Sequence, residues 1–69
     1  MSDTKKIIGS NVVKYRNQKN LSQKELAKKA GISANSLVGI EKGRVNTNIG
    51  ILEKIAKVLQ QSIERFFEP

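Results

Sequence analysis

Residues 22 to 43 have the sequence SQKELAKKAGISANSLVGIEKG, which contains the signals for two capped helices separated by one glycine. Ser22 and Glu25 have the spacing of a capping box, in which each side chain accepts a hydrogen bond from the backbone N–H of the other residue. Apolar residues then recur at helical spacing as far as Gly31, a residue type that ends helices in the left-handed conformation at little cost. The pattern predicts a helix that begins at Gln23 and ends before Gly31.

The second half of this stretch predicts another helix after a short turn. Ser33 is an N-cap signal, because its side chain can accept a hydrogen bond from the first turn of a helix. We expect this helix to run from Ala34 to about Lys42, with Gly43 closing it. Two helices joined in this way form a helix-turn-helix, whose second helix is the candidate for insertion into the major groove of DNA.

The sequence before the motif predicts a first helix. Asp3 or Thr4 can cap this helix, which runs to about Lys19, and Asn20 ends it. Its apolar residues have the spacing i, i+4 and i+7 of a buried stripe, and they are Ile8, Val12 and Tyr15.

The sequence after the motif predicts a fourth helix from Asn48 and a last short helix over residues 63 to 67. We expect the apolar residues of the fourth helix to face the core, namely Ile49, Leu52, Ile55, Ala56 and Leu59. No internal repeat, low-complexity segment or long linker is present. The prediction is therefore a single domain over residues 1–69, an all-α compact bundle of five helices without strands.

The composition removes several classes of function. The chain contains no Cys and no His, so it lacks disulfides, thiolate metal sites, the usual transition-metal ligands and the commonest general base. We therefore expect no metal, no cofactor and no enzymatic activity, and no small-molecule site is evident. No apolar run is long enough to cross a bilayer and no signal peptide is recognisable, which predicts a soluble, cytoplasmic protein without membrane association.

The net charge of +7 belongs entirely to the first part of the chain. Residues 1–44 contain ten Lys and Arg against three acidic residues, whereas residues 45–69 contain three of each. The basic part includes the helix-turn-helix, so a polyanion is the expected partner and double-stranded DNA is the candidate. The charge alone would also suit an acidic protein or an anionic membrane surface.

Several segments of the chain resemble the Cro/C1-type helix-turn-helix family of phage repressors and their bacterial relatives, also called the XRE family. The similar segments are LSQKELA (21–27), AGIS (30–33), IEKG (40–43), LEKIAKVL (52–59) and SIERFF (62–67). The resemblance implies a lambda-repressor-like bundle of five helices that binds DNA operators as a dimer. The chain departs from the family pattern at two helix boundaries, where Thr47 replaces a frequent Pro and Gln60 a frequent Gly.

The outer side of the second motif helix is the predicted surface for contacts to DNA bases. Leu37 and Ile40 must face inward, which leaves an outer side that is small and apolar rather than charged. Asn35 has the donor and acceptor pair that matches adenine, and small apolar side chains suit a thymine methyl group. The predicted base-contacting residues are Ser33, Ala34, Asn35, Val38 and Gly39. In the alternative interpretation, Val38 packs under a loop and Gly39 relieves a helix crossing.

Contacts to DNA phosphates are predicted at the start of the first motif helix and in the loop after the second. The candidates are Ser22, Gln23, Lys42, Arg44, Asn46 and Thr47. The resemblance implies the contact at Gln23, whose side chain could also bond the phosphate or brace the second helix. Alternatively, Gln23 is a solvated first-turn residue and Arg44 a solvated loop cation. Lys5 and Lys6 have a weaker claim to phosphate contacts.

Two further sets of residues have expected structural roles. The resemblance implies a salt bridge between Arg16 and Glu41 that ties the first helix to the end of the third. The apolar residues Ile63, Phe66 and Phe67 crowd one short helix and predict the interface of a homodimer. Alternatively, both phenylalanines belong to the core and dimerisation occurs only on DNA.

The sequence therefore favours a sequence-specific, repressor-like transcriptional regulator that binds a palindromic operator as a homodimer. One alternative is an antitoxin-like or other protein-binding module that also binds DNA. A membrane-surface binder is disfavoured, because the apolar positions are consumed by the core and no helix combines a free apolar face with a basic one.

Overall fold

Four α-helices and one short 3₁₀ helix make up the computed structural model, which describes residues 2–69, with side chains from Thr4 onward. They are α1 (Ser2–Gln18), α2 (Gln23–Ala30), α3 (Ala34–Glu41), α4 (Ile49–Leu59) and the 3₁₀ helix (Ile63–Phe67). The described residues form no strand. The all-α prediction is confirmed, whereas the predicted fifth α-helix is wrong. Backbone N–H groups of the last segment bond three residues back, as short terminal helices do.

The local signals of the helix-turn-helix set its boundaries as predicted. Ser22 Oγ accepts a 3.0 Å hydrogen bond from the N–H of Glu25, and the Ser22 N–H donates to Glu25 Oε1 at 2.8 Å. Gly31 takes the left-handed conformation with φ of 71°, and its N–H bonds back to the last turn of α2. Ser33 then caps α3 by accepting a 3.0 Å hydrogen bond from the N–H of Ser36. Helix α1 begins earlier than expected, so Thr4 lies inside it rather than at its cap.

The two departures from the family pattern still give ordered helix boundaries. At the first departure, Asn48 follows Thr47 and caps α4 by accepting a 2.9 Å hydrogen bond from the N–H of Ile51. Gln60 ends α4 in the left-handed conformation with φ of 57°, where a glycine would be free of strain. Lys19 Nζ donates a hydrogen bond to the Gln60 side chain.

The core lies between the helices and is built from apolar side chains of every element. Its fully buried large side chains are Val12, Leu26, Leu37, Leu52, Ile55, Leu59 and Phe66. One expected core residue differs, because Ile49 is the first residue of α4 and its side chain is 56% exposed. The helical spacing is correct for the rest of α4, but among the described side chains none covers Ile49 in its first turn.

Helix α1 crosses the end of α3 at close range. A Cβ on Gly9 would lie 2.5 Å from the carbonyl oxygen of Ile40, closer than two such atoms can approach. Glycine at this position therefore allows the two backbones to touch. The other end of the chain is tied to the same helix, since Asn11 Nδ2 donates hydrogen bonds to the carbonyl oxygens of Phe66 and Glu68 at 2.9 and 2.7 Å. The end of α3 and the C-terminal segment thus both pack on α1.

Candidate nucleic-acid interface

The outer side of α3 is a solvent-facing surface without a charged residue along its helical part. Leu37 and Ile40 are buried beneath it. Ala34 and Asn35 are exposed, and Val38 and Gly39 are half-buried. The fold therefore brings these four predicted base-contacting residues to one surface.

Ser33 lies at the start of this surface, but its hydroxyl is engaged within the cap. Its Oγ accepts from the Ser36 N–H and donates to Ser36 Oγ at 2.8 Å. The structure therefore assigns Ser33 a capping role in the unbound protein, and its hydroxyl could donate to a base only if the bond to Ser36 Oγ broke.

The N-terminus of α2 lies against the end of α3, where Gln23 bonds Glu41, and it presents backbone N–H groups at the positive end of the helix dipole. The Ser22 N–H and hydroxyl oxygen are both engaged in the capping box with Glu25. Hydrogen bonds from the backbone and side chain of Ser22 hold the pKa of Glu25 below its ordinary value. Glu25 therefore stays a carboxylate in the capping box at neutral pH.

A buried carboxylate joins this N-terminus to the end of α3. Gln23 Nε2 donates a 2.7 Å hydrogen bond to Glu41 Oε1. Arg16 Nε donates a 2.7 Å hydrogen bond to Glu41 Oε2, and Arg16 Nη1 also donates to the Leu21 carbonyl oxygen at 2.8 Å. The Arg16 and Glu41 side chains are only 14% and 3% exposed. The expected salt bridge is present, and the Gln23 side chain braces α3.

The loop after α3 carries the remaining phosphate candidates. Lys42, Arg44 and Asn46 are exposed. Thr47 differs, because its hydroxyl oxygen is enclosed and has no hydrogen-bond partner among the described residues. In the unbound protein the Thr47 hydroxyl is thus enclosed at the start of α4, and a phosphate contact at this residue stays a prediction.

Sequence inspection missed Val45 in the same loop. A Cβ on Gly39 would lie 3.1 Å from Val45 Cγ2 and 3.2 Å from Cγ1, so the Val45 side chain covers the glycine. This contact favours the structural alternative for Gly39, with the loop rather than a helix as its neighbour. The only sequence signal was an unexplained glycine inside a helix, which does not identify its partner.

The C-terminal aromatic residues have opposite environments. Phe66 is fully buried, with its ring centroid 6.4 Å from that of Tyr15. Phe66 was therefore wrongly predicted to line a dimer interface, since the 3₁₀ helix turns it into the core. Phe67 is 42% exposed and Ile63 is half-buried against the core. Phe67 and the exposed Ile49 line a cleft of about 450 Å³, which Val45 also borders.

The described side chains include no group of three or more acidic residues that could hold a metal ion. Of the described helices, none combines the length and the apolar character needed to span a bilayer.

Comparisons with known proteins agree with this geometry. The family model for helix-turn-helix proteins matches residues 12–66. The chain is 42% identical over 53 residues to an uncharacterized HTH-type transcriptional regulator of Methanocaldococcus jannaschii, covering 77% of this chain and 80% of that protein. It is 36% identical over 63 residues to the HTH-type transcriptional regulator SinR of Bacillus subtilis, covering 90% of this chain and 57% of SinR. It is 35% identical over 63 residues to control protein C.SmaI of Serratia marcescens, covering 91% and 75%.

Solved structures share the same fold. The hypothetical transcription factor NHTF from Neisseria superposes with a TM-score of 0.93 at 27% identity, covering 97% of this chain and 75% of that chain. The restriction-modification controller protein C.AhdI from Aeromonas hydrophila superposes with a TM-score of 0.87 at 27% identity, covering 91% and 96%. The chain therefore belongs to the Cro/C1-type (XRE) helix-turn-helix family of DNA-binding transcriptional regulators.

Proposed function

We propose that this protein is a sequence-specific regulator that inserts α3 into the major groove of double-stranded DNA, as a homodimer on a palindromic operator. The observation that carries the proposal is the outer side of α3. It exposes Asn35 among small and apolar residues. The N-terminus of α2 is hydrogen-bonded to the last residue of α3 through Gln23 and Glu41, and a loop with Lys42 and Arg44 follows that residue. A surface of this composition suits base edges better than it suits water, because base edges offer both hydrogen-bonding groups and methyl groups.

The phosphate contacts fix the position of α3 in the groove. The N-terminus of α2 at Gln23 binds one phosphate through backbone N–H groups, with the helix dipole favouring the negative charge. Lys42, Arg44 and Asn46 hold the backbone on the other side of α3. These contacts supply most of the affinity and its dependence on salt, while they carry no sequence information.

The base contacts supply the preference for one sequence. Asn35 donates to and accepts from one adenine edge, and Ala34 and Val38 contact thymine methyl groups. Gln23 and Arg16 hold α3 through Glu41, which keeps the base-contacting surface fixed relative to the phosphate-binding N-terminus.

The homodimer is proposed to form through the exposed apolar residues Ile49 and Phe67, with Ile63 at the edge. Ile49 and Phe67 line one cleft, and residues 45–69 carry no net charge, so two copies meet there without strong repulsion. A two-fold axis would place two copies of α3 about 34–36 Å apart, which is one turn of DNA.

Repression is the form of regulation that DNA binding alone provides, because a regulator that occupies an operator overlapping a promoter excludes RNA polymerase. The second candidate function is a module that binds a partner protein in addition to DNA. The same apolar cleft favours it, since an exposed apolar surface also suits a foreign chain.

Footprinting on the DNA that flanks its own gene tests the proposal. We expect protection of a palindrome whose half-sites are centred one helical turn apart, at salt concentrations where random DNA of the same length is free. Equal protection of all sequences would contradict sequence-specific regulation. Recovery of a stoichiometric acidic protein that blocks DNA binding would support the second candidate instead.

A further inference from the structure

Gly39 and Val45 fit together on the DNA-facing side of α3. A Cβ at position 39 would lie 3.1 and 3.2 Å from the two methyl carbons of Val45, which is closer than ordinary van der Waals contact, so Val45 would have to shift. The glycine therefore leaves the space that the valine side chain occupies. A glycine inside a helix costs roughly 1 kcal/mol relative to alanine, and this packing gives it a structural reason.

Val45 continues the outer surface of α3. Gly39 follows Asn35 by four residues, so the two lie one helical turn apart on the same side. A shallow groove of about 390 Å³ has both Asn35 and Val45 in its wall, together with Ser36 and Asn46. The loop valine therefore lies beside the predicted adenine contact, where a side chain of residue 39 would otherwise project.

The Val45 side chain remains 42% exposed in this position. Its neighbours in the loop, Arg44 and Asn46, are polar. Exposure of the apolar Val45 side chain to water is unfavourable. In the major groove the C5-methyl group of thymine is the apolar feature of a base edge. An exposed valine packed on Gly39 beside the outer surface of α3 has the chemistry to contact that methyl group.

We propose that Val45, seated on Gly39, is a specificity-determining residue that contacts the C5-methyl group of one thymine in each half-site. The inference rests on the proposed function, because it places α3 in the major groove. It adds a loop residue to the base contacts and assigns to Gly39 the role of positioning that residue. In this arrangement the Val45 side chain lies where a residue other than glycine at position 39 would place its own side chain.

The test is a cycle between a protein substitution and a DNA substitution. The operator is first selected from random DNA with the wild-type protein, and each thymine of a half-site is then replaced by deoxyuridine, which lacks only the methyl group. We expect the affinity of the wild-type protein to fall about fourfold per half-site when one particular thymine is replaced. A change of about fourfold in affinity corresponds to the burial of one methyl group. Val45→Ala should show the same loss on the thymine operator and no further loss on the deoxyuridine operator.

Three matched variants identify the source of the effect. Val13→Ala removes the same methyl groups from a half-buried valine of α1, outside the proposed DNA and dimer surfaces, and should keep the full sensitivity to deoxyuridine. Val38→Ala should remove the sensitivity at a different thymine and keep it at the Val45 position. Gly39→Ala pushes the Val45 side chain outward and should reduce the preference for thymine at the Val45 position, while the Gly39→Ala, Val45→Ala double variant should bind as weakly as Val45→Ala alone.

The outcomes separate this inference from the proposed function. A wild-type protein that selects no DNA motif would overturn both. A protein that selects a motif, but whose Val45→Ala variant keeps the complete deoxyuridine sensitivity, would overturn only the Val45 contact. Sedimentation of Val45→Ala completes the test, because a variant that loses its dimer and weakens equally at all thymines places Val45 in the dimer interface and overturns the base contact.

Discussion

The side-chain amide of Gln23 lies 2.7 Å from Oε1 of Glu41, and the other oxygen of that carboxylate lies 2.7 Å from Arg16 Nε. The first residue of α2 and the last residue of α3 are therefore joined through one almost fully buried carboxylate. Arg16 adds α1 to the same group. The angle between the two helices of the motif depends on this carboxylate as well as on the apolar core.

Glu41→Ala is expected to destabilise the folded protein by about 3–5 kcal/mol, because it leaves the largely buried Arg16 guanidinium without its partner. Urea unfolding measures the loss. The exposed pair of Arg65 and Glu68, 3.6 Å apart with side chains 55% and 56% exposed, provides the control. Glu68→Ala should cost less than about 1 kcal/mol. Similar losses for the two variants would show that burial does not strengthen the Arg16 pair.

Asn35→Ala is expected to weaken binding to the selected operator by about 1–3 kcal/mol and to relax the preference at one base pair of each half-site. Affinity for random DNA should change little, because Asn35 contacts no phosphate in the proposed complex. Competition binding with operators changed at single base pairs measures both effects. Equal losses on operator and random DNA would rule out a base contact by Asn35.

Arg44→Ala is expected to weaken operator and random DNA alike, and to reduce the salt dependence by about one phosphate contact per protomer. Lys54→Ala is the control, because it removes the same charge from an exposed position on α4. Titrations at several salt concentrations give the slope for each variant. A slope that changes equally in both variants would show that the effect comes from net charge. An unchanged slope for Arg44→Ala would show that Arg44 is a solvated loop residue without a phosphate contact.

Phe66→Ala is expected to reduce folding stability, whereas Phe67→Ser is expected to reduce dimer formation. Phe66 is fully buried, so its truncation should cost about 3–5 kcal/mol of folding stability. Phe67→Ser should leave the monomer folded and dissociate the dimer, because Phe67 is exposed beside Ile49. Sedimentation at micromolar concentration, with helix content from circular dichroism, separates the two results. A wild-type protein that is monomeric without DNA would reject a preformed dimer.

Gln60→Gly is expected to raise the stability by about 0.5–1 kcal/mol, because Gln60 ends α4 with φ of 57° and glycine adopts this conformation without strain. The variant loses only an exposed hydrogen bond from Lys19. Asn20→Gly is the matched control, since Asn20 has the same φ of 57° but asparagine tolerates it better. Thermal unfolding should therefore show a larger gain at position 60, and a loss at that position would contradict the explanation.

Tertiary packing decided features that no local pattern could give. Gln23 and Glu41 are 18 residues apart, so their hydrogen bond depends on how α2 and α3 cross. Val45 covers Gly39 because the loop folds back along α3, and the loop sequence does not specify this path. Such contacts depend on the position of whole helices, which the periodicity of a single helix does not encode.

The sequence by itself determined the helix-turn-helix, since the signals at Ser22, Gly31 and Ser33 act through hydrogen bonds and backbone conformations that span only a few residues. It also determined the basic character of the first part of the chain and most of the buried stripes. It did not distinguish Phe66 from Phe67, because neighbouring residues differ only in the direction that the 3₁₀ helix gives them. Only the packing of that helix on α1 placed one ring in the core and the other in solvent.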